Sequence, residues 1–316
     1  MGSRLHLNEY APKKICGGDD LSDSLLEQGL IIAKLSVAVL NDPEERKRTQ
    51  SRLPKGWKEV DLSTFVSDPA LYENTNEGVR TALYRKGNQL MLVFSAFLDP
   101  KQETRLYREI NEFQGLGGIP NAYRQADLLT SFVAKYAEEE GCDLILGGTS
   151  LGGGFATFAG LKNLTAISPK SNLRAIALNP ANLGTGTCKD VVRALKKRKL
   201  MPSKNKEEEL QAISEEMVTT IRVEGEMCSP RAKGRLAELQ QQYKICELGK
   251  VFEISPPVLE EESMLNPFER HKLRYLHLAL KQLAAMRGIV IESGIPQRLV
   301  QQALPRVENG RAVLPM

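Results

Sequence analysis

Ser150 is the first candidate for chemistry in this chain, because it lies on a turn flanked by glycines. Residues 148–152 are Gly-Thr-Ser-Leu-Gly, the G-x-S-x-G pattern of a nucleophilic serine at a sharp turn between a strand and a helix. Apolar residues at 144–146 predict the strand, and apolar residues at helical spacing over 155–159 predict the helix. Glycines let strand and helix approach closely and leave the hydroxyl open to a reacting carbonyl.

The same turn has two other interpretations, a tight turn without chemistry and a phosphate-binding loop. The Gly-Lys-Ser/Thr ending that would support phosphate binding does not follow the glycines. If Ser150 is a nucleophile, Leu151 begins the next helix, and its N–H can donate to an oxyanion formed beside Ser150. Thr149, Gly148 and Gly152 are then predicted to contact substrate.

A serine hydroxyl needs a base to accept its proton, and the chain has three histidines. His6 lies in a polar N-terminal stretch and is interpreted as solvated. His271 and His277 both follow Ser150, as the base does in the Ser, acid, His order of α/β-hydrolases. His271 lies near the start of the last predicted helix and is the predicted base. His277, flanked by leucines, is the alternative and more typical of a core or interface position.

The acid that orients the histidine should follow a strand between Ser150 and the base, because ligands gather at the carboxyl edge of a parallel sheet. Glu226 comes just after residues 218–223, which predict a strand, and is the predicted acid. Glu224 and Asp190 are the alternatives, and each is also compatible with an exposed surface carboxylate.

Strands and helices alternate around these residues and predict an α/β fold. The sheet is expected to be mostly parallel, with helices on both faces and charged helical insertions within 185–217. We expect a polar N-terminal arm over 1–20, one domain over 21–290 and a C-terminal tail over 291–316. The runs that predict strands are 79–84, 89–94, 144–146, 173–178, 218–223 and 249–254, and those that predict long helices are 21–40, 123–136 and about 267–286.

Composition narrows the classes of function. The formal net charge of +4 creates no global field that would require nucleic acid, and 41% hydrophobic content can bury a large core. The five cysteines are scattered, odd in number and without C-x-x-C spacing, which argues against a disulfide framework or a zinc site. No apolar signal core or membrane-spanning window is evident, so we expect a cytoplasmic protein or one exported without a leader.

The combined pattern resembles the class 3 lipases and related lipase-like serine α/β-hydrolases over about residues 21–283. This resemblance implies hydrolysis of lipid esters through a triad of Ser150, His271 and Glu226, with no metal or organic cofactor. The residues that carry it are Leu53–Trp57, Gln125-Ala126, Gly148–Gly153, Val223–Glu226 and His271.

Three positions depart from the family pattern. Thr149 replaces a usual histidine, and Glu226 replaces a usual aspartate. Residues 94–97 are Phe-Ser-Ala-Phe where the family has Phe-x-Gly-Thr, a segment that supplies an oxyanion donor; here the N–H of Phe97 is the candidate donor. Losing a well-placed donor costs ~10²–10³ in turnover, so a slow or degenerate enzyme is an open alternative.

The expected function is therefore hydrolysis of lipid esters by a serine hydrolase. Phospholipids are the expected substrates, with peripheral membrane contact, because the basic run Lys196–Lys199 is predicted to lie above the active edge and to meet anionic headgroups. A solvated helix face is the simpler interpretation of that run. The alternative function is a hydrolase fold without activity that serves as a protein-binding or effector scaffold.

Overall fold

The computed structural model describes twelve stretches of the chain, and the structural statements below concern these residues. Of the candidate residues, His6 and Phe97 lie outside them. The described residues are 15–40, 53–74, 79–96, 110, 112–114, 116–166, 172–201, 206–229, 246–259, 270–289, 306–308 and 311–313.

The described residues form eleven strands and six α-helices. The strands are β1 (Ile15–Gly17), β2 (Lys58–Val60), β3 (Glu73–Asn74), β4 (Val79–Lys86), β5 (Gln89–Ala96), β6 (Asp143–Thr149), β7 (Leu173–Leu178), β8 (Val218–Val223), β9 (Lys250–Ile254), β10 (Arg306–Glu308) and β11 (Arg311–Val313). The α-helices are α1 (Asp23–Leu40), α2 (Asn121–Glu139), α3 (Leu151–Lys162), α4 (Thr185–Lys197), α5 (Lys206–Met217) and α6 (Leu273–Met286).

Nine of these strands form one mixed sheet in the order β1-β9-β8-β7-β6-β5-β4-β2, with β3 paired to β4. The pairs from β5 through β9 to β1 are parallel, whereas β2, β3 and β5 run antiparallel to β4. Lys86 pairs with Gln89, so the β4–β5 hairpin turns through Gly87, which has a φ of 60°. This left-handed backbone is what such a two-residue turn requires.

Helices cover both faces of the sheet and divide the core in two. Apolar residues of α1 and α6 pack on one face together with Ile145, Ile176 and Ile221. Apolar residues of α2, α3 and α4 pack on the other face together with Leu144 and Leu146. Because both faces are buried, β5 and β6 contain apolar runs without alternation, Leu90–Phe94 and Leu144–Leu146. The predicted α/β-hydrolase-like fold class is confirmed, including the helical insertion formed by α4 and α5.

The chain termini differ from prediction. Residues 15–17 of the predicted polar arm form β1, which pairs in parallel with β9 at the sheet edge. Three residues are too short to show a strand period in the sequence, yet Cys16 buries its side chain in the core. The division into arm, domain and tail stays a prediction. Within the predicted tail, β10 and β11 pair as a separate antiparallel sheet. No helix in the described part of the chain combines the length and apolarity needed to cross a bilayer.

Candidate active site

Ser150 lies between β6 and α3 with a backbone that side-chain-bearing residues rarely adopt. Its φ is 54° and its ψ is −124°. Its N–H donates to the carbonyl of Leu178 on β7 over 3.1 Å, and its carbonyl accepts from Ala181 N–H over 2.9 Å. Strain of this kind is retained when the surrounding structure determines it, and it is concentrated at functional sites. The half-buried side chain projects from the carboxyl edge of the sheet.

Two glycines make this turn sterically feasible. A Cβ on Gly152 would lie 2.2 Å from the carbonyl oxygen of Phe94, and a Cβ on Gly148 would lie 2.4 Å from the carbonyl carbon of Gly152. Both glycines therefore serve the close approach of α3 to β5 and β6. The predicted contact of Thr149, Gly148 and Gly152 with substrate stays a prediction.

The fold brings three of the predicted residues into one hydrogen-bonded chain. Ser150 Oγ lies 2.8 Å from His271 Nε2. His271 Nδ1 lies 2.7 Å from Glu226 Oε2. The carboxylate is buried, with 1% of its side chain exposed, while the imidazole keeps 13% of its surface exposed. This is the arrangement in which a carboxylate orients an imidazole and the imidazole can accept a hydroxyl proton.

Asn179 anchors the segment that carries the imidazole. Its Nδ2 donates to the carbonyls of Arg270 and His271 over 2.9 and 3.3 Å, and its Oδ1 accepts from Val223 N–H over 2.9 Å. Asn179 follows β7, has a φ of 40° and is 1% exposed. One amide side chain thus ties the ends of β7 and β8 to the histidine segment.

The carboxylate of Glu226 is held by the tight turn that follows β8. Glu226 N–H donates to Val223 O over 3.1 Å, and Glu226 O accepts from Ser229 N–H over 3.1 Å. Cys228 N–H donates to the same Oε2 that contacts His271, over 2.8 Å. This oxygen therefore has a fixed position opposite the ring.

The ring of His271 binds a proton more tightly than an exposed imidazole does. Burial lowers the pKa of His271, but interactions with Cys228 and with Glu226 raise it by more, to about 10. The carboxylate of Glu226 beside the ring favours imidazolium, which is the charge state that a triad base reaches after it has taken the serine proton.

A buried ion cluster lies behind the acid. Arg222, 1% exposed on β8, pairs with Glu247 and, over 3.0 Å, with Glu253. Burial raises the pKa of Glu247, Arg222 lowers it, and Glu226 and Glu253 raise it, so that the pKa is about 7. The charge of Glu226 therefore acts on both this cluster and His271.

The alternative acids and base occupy other surroundings. Glu224 is exposed, and its backbone carbonyl accepts from Arg270 Nη1 over 3.0 Å. Asp190 forms ion pairs with Lys162 over 2.7 Å and with Arg193 over 3.1 Å. His277 is half-buried on α6; burial, with Lys281 and Lys34, lowers its pKa to about 4. The described contacts of Ser150 and His271 involve none of these groups.

Leu151 is the first residue of α3, so its N–H belongs to the helix turn that lacks intrahelical acceptors. This position next to Ser150 is compatible with the predicted oxyanion donor. The second predicted donor, Phe97, follows β5 but falls outside the described residues.

The position predicted for the basic run Lys196–Lys199 is wrong. Arg198 Nη1 donates to the carbonyl of Lys162, the last residue of α3. Ser150 precedes the other end of this 12-residue helix, which spans about 18 Å. The basic run therefore lies near the opposite edge of the sheet, because a helix after a parallel strand runs back along it. It gives no support to a phospholipid substrate.

A different segment lies at the edge of the sheet that carries Ser150. We call its described residues, 112–114 and 116–118, the apolar loop. Phe113 is 51% and Leu116 85% exposed. Gln114 between them is buried, and its Oε1 accepts from Gly184 N–H over 3.1 Å, just beyond β7. A Cβ on Gly184 would lie 2.7 Å from Gln114, so the loop packs directly on this segment.

Two residues of the site were not predicted from the sequence. The signal for Asn179 was an asparagine directly after a buried strand, a position where asparagine tolerates the left-handed backbone. The signal for Cys228 was only its place two residues after the predicted acid. Only the folded structure shows that both residues lie beside the segment that carries His271.

A scan against protein-family models and a search of curated proteins find no match. Among solved structures, a lipase designated M37 has 7% identity and a TM-score of 0.48, and the match covers 89% of this chain and 99% of that one.

Two further matches are esterases. The thermophilic carboxylesterase EstE1 from a metagenomic library has 14% identity and a TM-score of 0.31, over 83% of this chain and 96% of that one. Esterase B from Lactobacillus rhamnosis has 10% identity and a TM-score of 0.31, over 88% and 99%. The specific resemblance to class 3 lipases stays a prediction, and function has to be argued from the site geometry.

Proposed function

We propose that the protein is a serine hydrolase of carboxylic esters with apolar acyl groups, acting through Ser150, His271 and Glu226. The observation that carries this proposal is the continuous pair of hydrogen bonds, 2.8 Å from Ser150 Oγ to His271 Nε2 and 2.7 Å from His271 Nδ1 to Glu226 Oε2. A hydroxyl, an imidazole and a buried carboxylate in this order are the requirements of acyl transfer to serine.

In the first half-reaction, neutral His271 accepts the Ser150 proton at Nε2 while Oγ attacks the ester carbonyl. Glu226 keeps the other ring proton on Nδ1 and stabilises the imidazolium that forms. The oxyanion of the tetrahedral intermediate would lie beside the N–H of Leu151, at the positive end of α3. Imidazolium then protonates the leaving alcohol, which departs and leaves an acyl-serine.

In the second half-reaction, water replaces the alcohol. His271 accepts a proton from this water as it attacks the acyl-serine, and it returns that proton to Ser150 when the carboxylic acid departs. No step requires a metal or an organic cofactor. The strained backbone of Ser150 keeps Oγ exposed to both acyl donor and water.

The apolar loop supports an ester with a hydrophobic acyl chain. Phe113 and Leu116 remain exposed beside the segment after β7. The last residue of β7, Leu178, accepts a hydrogen bond from the Ser150 backbone. Exposed apolar groups near a site favour apolar ligands, because contact removes both surfaces from water. Phospholipid as the substrate class stays a prediction that a direct comparison of substrates must decide.

The inactive scaffold is the alternative function, and the departure at residues 94–97 motivates it. The intact hydrogen bonds from Ser150 to His271 and from His271 to Glu226 favour the enzyme. An inactive scaffold predicts that the purified chain releases no acid from any ester.

Hydrolysis and trapping together test the proposed function. The purified chain should release acid from short-chain p-nitrophenyl esters, and from triacylglycerol emulsions or phospholipid vesicles according to its preference. An aryl phosphonate, which resembles the tetrahedral intermediate, should abolish this activity and add one phosphonyl group. Mass spectrometry of the digest should locate the adduct on Ser150. Background release with no adduct would refute the enzyme, and an adduct elsewhere would refute the assigned nucleophile.

The pH dependence of kcat/KM should report the state of His271. Because only neutral imidazole accepts the serine proton and its pKa is about 10, kcat/KM should rise about tenfold per pH unit towards that value. Glu226→Gln removes an anion that raises this pKa, so the rise should end at lower pH while kcat falls about 10⁴-fold. Stopped-flow or titrimetric assays at fixed ionic strength measure both effects.

The exposed Glu224, on the same turn, provides the matched control. Glu224→Gln should keep the wild-type pH profile and nearly the wild-type kcat. An unchanged pH profile in Glu226→Gln, or equal losses of kcat in both variants, would contradict the role of Glu226.

A further inference from the structure

The thiol of Cys228 lies beside two members of the triad but takes part in no step of the proposed reaction. A carboxylate oxygen of Glu226, the sulfur of Cys228 and a ring nitrogen of His271 all lie within 4.8 Å of one another. The thiol is in no disulfide and is half-buried. The cluster therefore combines three different ligating groups with access from solvent.

These three groups are ligands that Zn²⁺ prefers. Zinc binds thiolate, imidazole and carboxylate at about 2.0–2.3 Å in a tetrahedron, so ligand atoms end about 3.3–3.8 Å apart. From the present spacing the sulfur needs to approach the other two ligand atoms by about 1.5 Å at most. His271 Nδ1 and Glu226 Oε2, now 2.7 Å apart, need to separate slightly to admit the ion. A thiolate and a carboxylate also neutralise the two positive charges, which lowers the cost of holding the ion in this largely buried place.

The turn after β8 holds two of the ligands in advance. Cys228 N–H donates to Glu226 Oε2 over 2.8 Å, and Asn182 Nδ2 donates to Cys228 O over 2.9 Å. Backbone and outer hydrogen bonds of this kind orient metal ligands and strengthen binding. The scattered spacing of the cysteines argued against a zinc site. Spacing in the sequence cannot show this proximity, because His271 belongs to a distant part of the chain.

We propose that Glu226, Cys228 and His271 form a zinc-binding site that competes with the assembled triad. On binding, the Cys228 thiol releases its proton to solvent, His271 binds through the lone pair of a neutral ring nitrogen, and water takes the fourth position. The ion then replaces the hydrogen bond between His271 and Glu226. If the proposed function holds, Zn²⁺ is a reversible inhibitor of it.

Binding without substrate tests the site independently of the proposed function. The untagged full chain, freed of metal by a chelator, should retain about one equivalent of Zn²⁺ in equilibrium dialysis at micromolar free metal. Co²⁺ in place of Zn²⁺ should give the near-ultraviolet charge-transfer absorption of a cobalt–thiolate bond. Cys228→Ser should weaken Zn²⁺ binding at least tenfold and remove this absorption. Cys142→Ser should change neither, because Cys142 precedes β6 at the opposite end of that strand from Ser150.

Two results would overturn the proposed zinc site. Absence of Zn²⁺ binding by the wild-type chain, or equal binding by wild type and Cys228→Ser, overturns the site. Should Cys228→Ser fail to fold, Cys228→Ala and Glu226→Gln provide the same comparison. Zinc binding with no ester hydrolysis would leave the site standing and refute the proposed function. Hydrolysis that saturating Zn²⁺ does not inhibit, in a chain that binds it, would overturn the competition with the triad.

Discussion

Ser150→Ala is expected to lower kcat for ester hydrolysis about 10⁶-fold. Without Oγ there is no atom to attack the carbonyl, and the hydrogen bond to His271 is lost. The residual rate should reflect oxyanion stabilisation and substrate binding alone. Initial rates at saturating ester, with the phosphonate adduct as a second measurement, would quantify the loss.

Ser131→Ala is the matched control for the loss of a serine hydroxyl. Ser131 is exposed on α2, and its Oγ donates to the carbonyl of Leu128. This variant should keep the wild-type rate. Thermal unfolding of both variants should stay close to wild type, because only one hydroxyl is removed from each. Activity of Ser150→Ala within tenfold of wild type would rule out the acyl-serine mechanism.

His271→Ala should cause a loss of kcat comparable with that of Ser150→Ala, because the two residues act as one unit. Its imidazole links Ser150 Oγ to Glu226 through hydrogen bonds of 2.8 and 2.7 Å. The truncated side chain leaves space at the position of the lost ring, so added imidazole should restore part of the rate. Such rescue would not be expected if His271 only supported the fold.

His277→Ala separates this role from a general effect of losing a histidine on or near α6. His277 has a lowered pKa near Lys281 and Lys34 and no described contact with Ser150. Its kcat should stay within about threefold of wild type, the range of ordinary effects outside a site. The assignment of the base would be reversed by a large loss in His277→Ala together with full activity in His271→Ala.

Local patterns in the sequence were sufficient to predict the elements of this fold. The run around Leu144–Leu146 predicted β6, the helical spacing after Ser150 predicted α3, and the run 218–223 matches β8. Hydrophobic periodicity and glycine punctuation act over a few residues, so they are visible without a fold. The G-x-S-x-G pattern belongs to this class, because its steric need concerns adjacent residues.

Long-range placement was less accessible to sequence reasoning. The basic run Lys196–Lys199 is predicted at the wrong edge of the sheet. Its charge does not show how far from Ser150 the run lies in the fold. β1 was missed because its three residues gain stability from pairing with β9, more than 230 positions later. No local pattern shows that the amide of Asn179 joins segments far apart in the chain.

The sequence by itself determined the nucleophile candidate and the α/β class, because both arise from neighbouring residues. Only the tertiary structure decided among Glu226, Glu224 and Asp190 and between His271 and His277 as contacts of the site. The candidate carboxylates lie tens of residues from Ser150 and from the imidazoles, and candidates of one kind have the same chemistry at the level of composition. A hydrogen bond of about 3 Å is set by how β7, β8 and the segment before α6 pack, which no local pattern records.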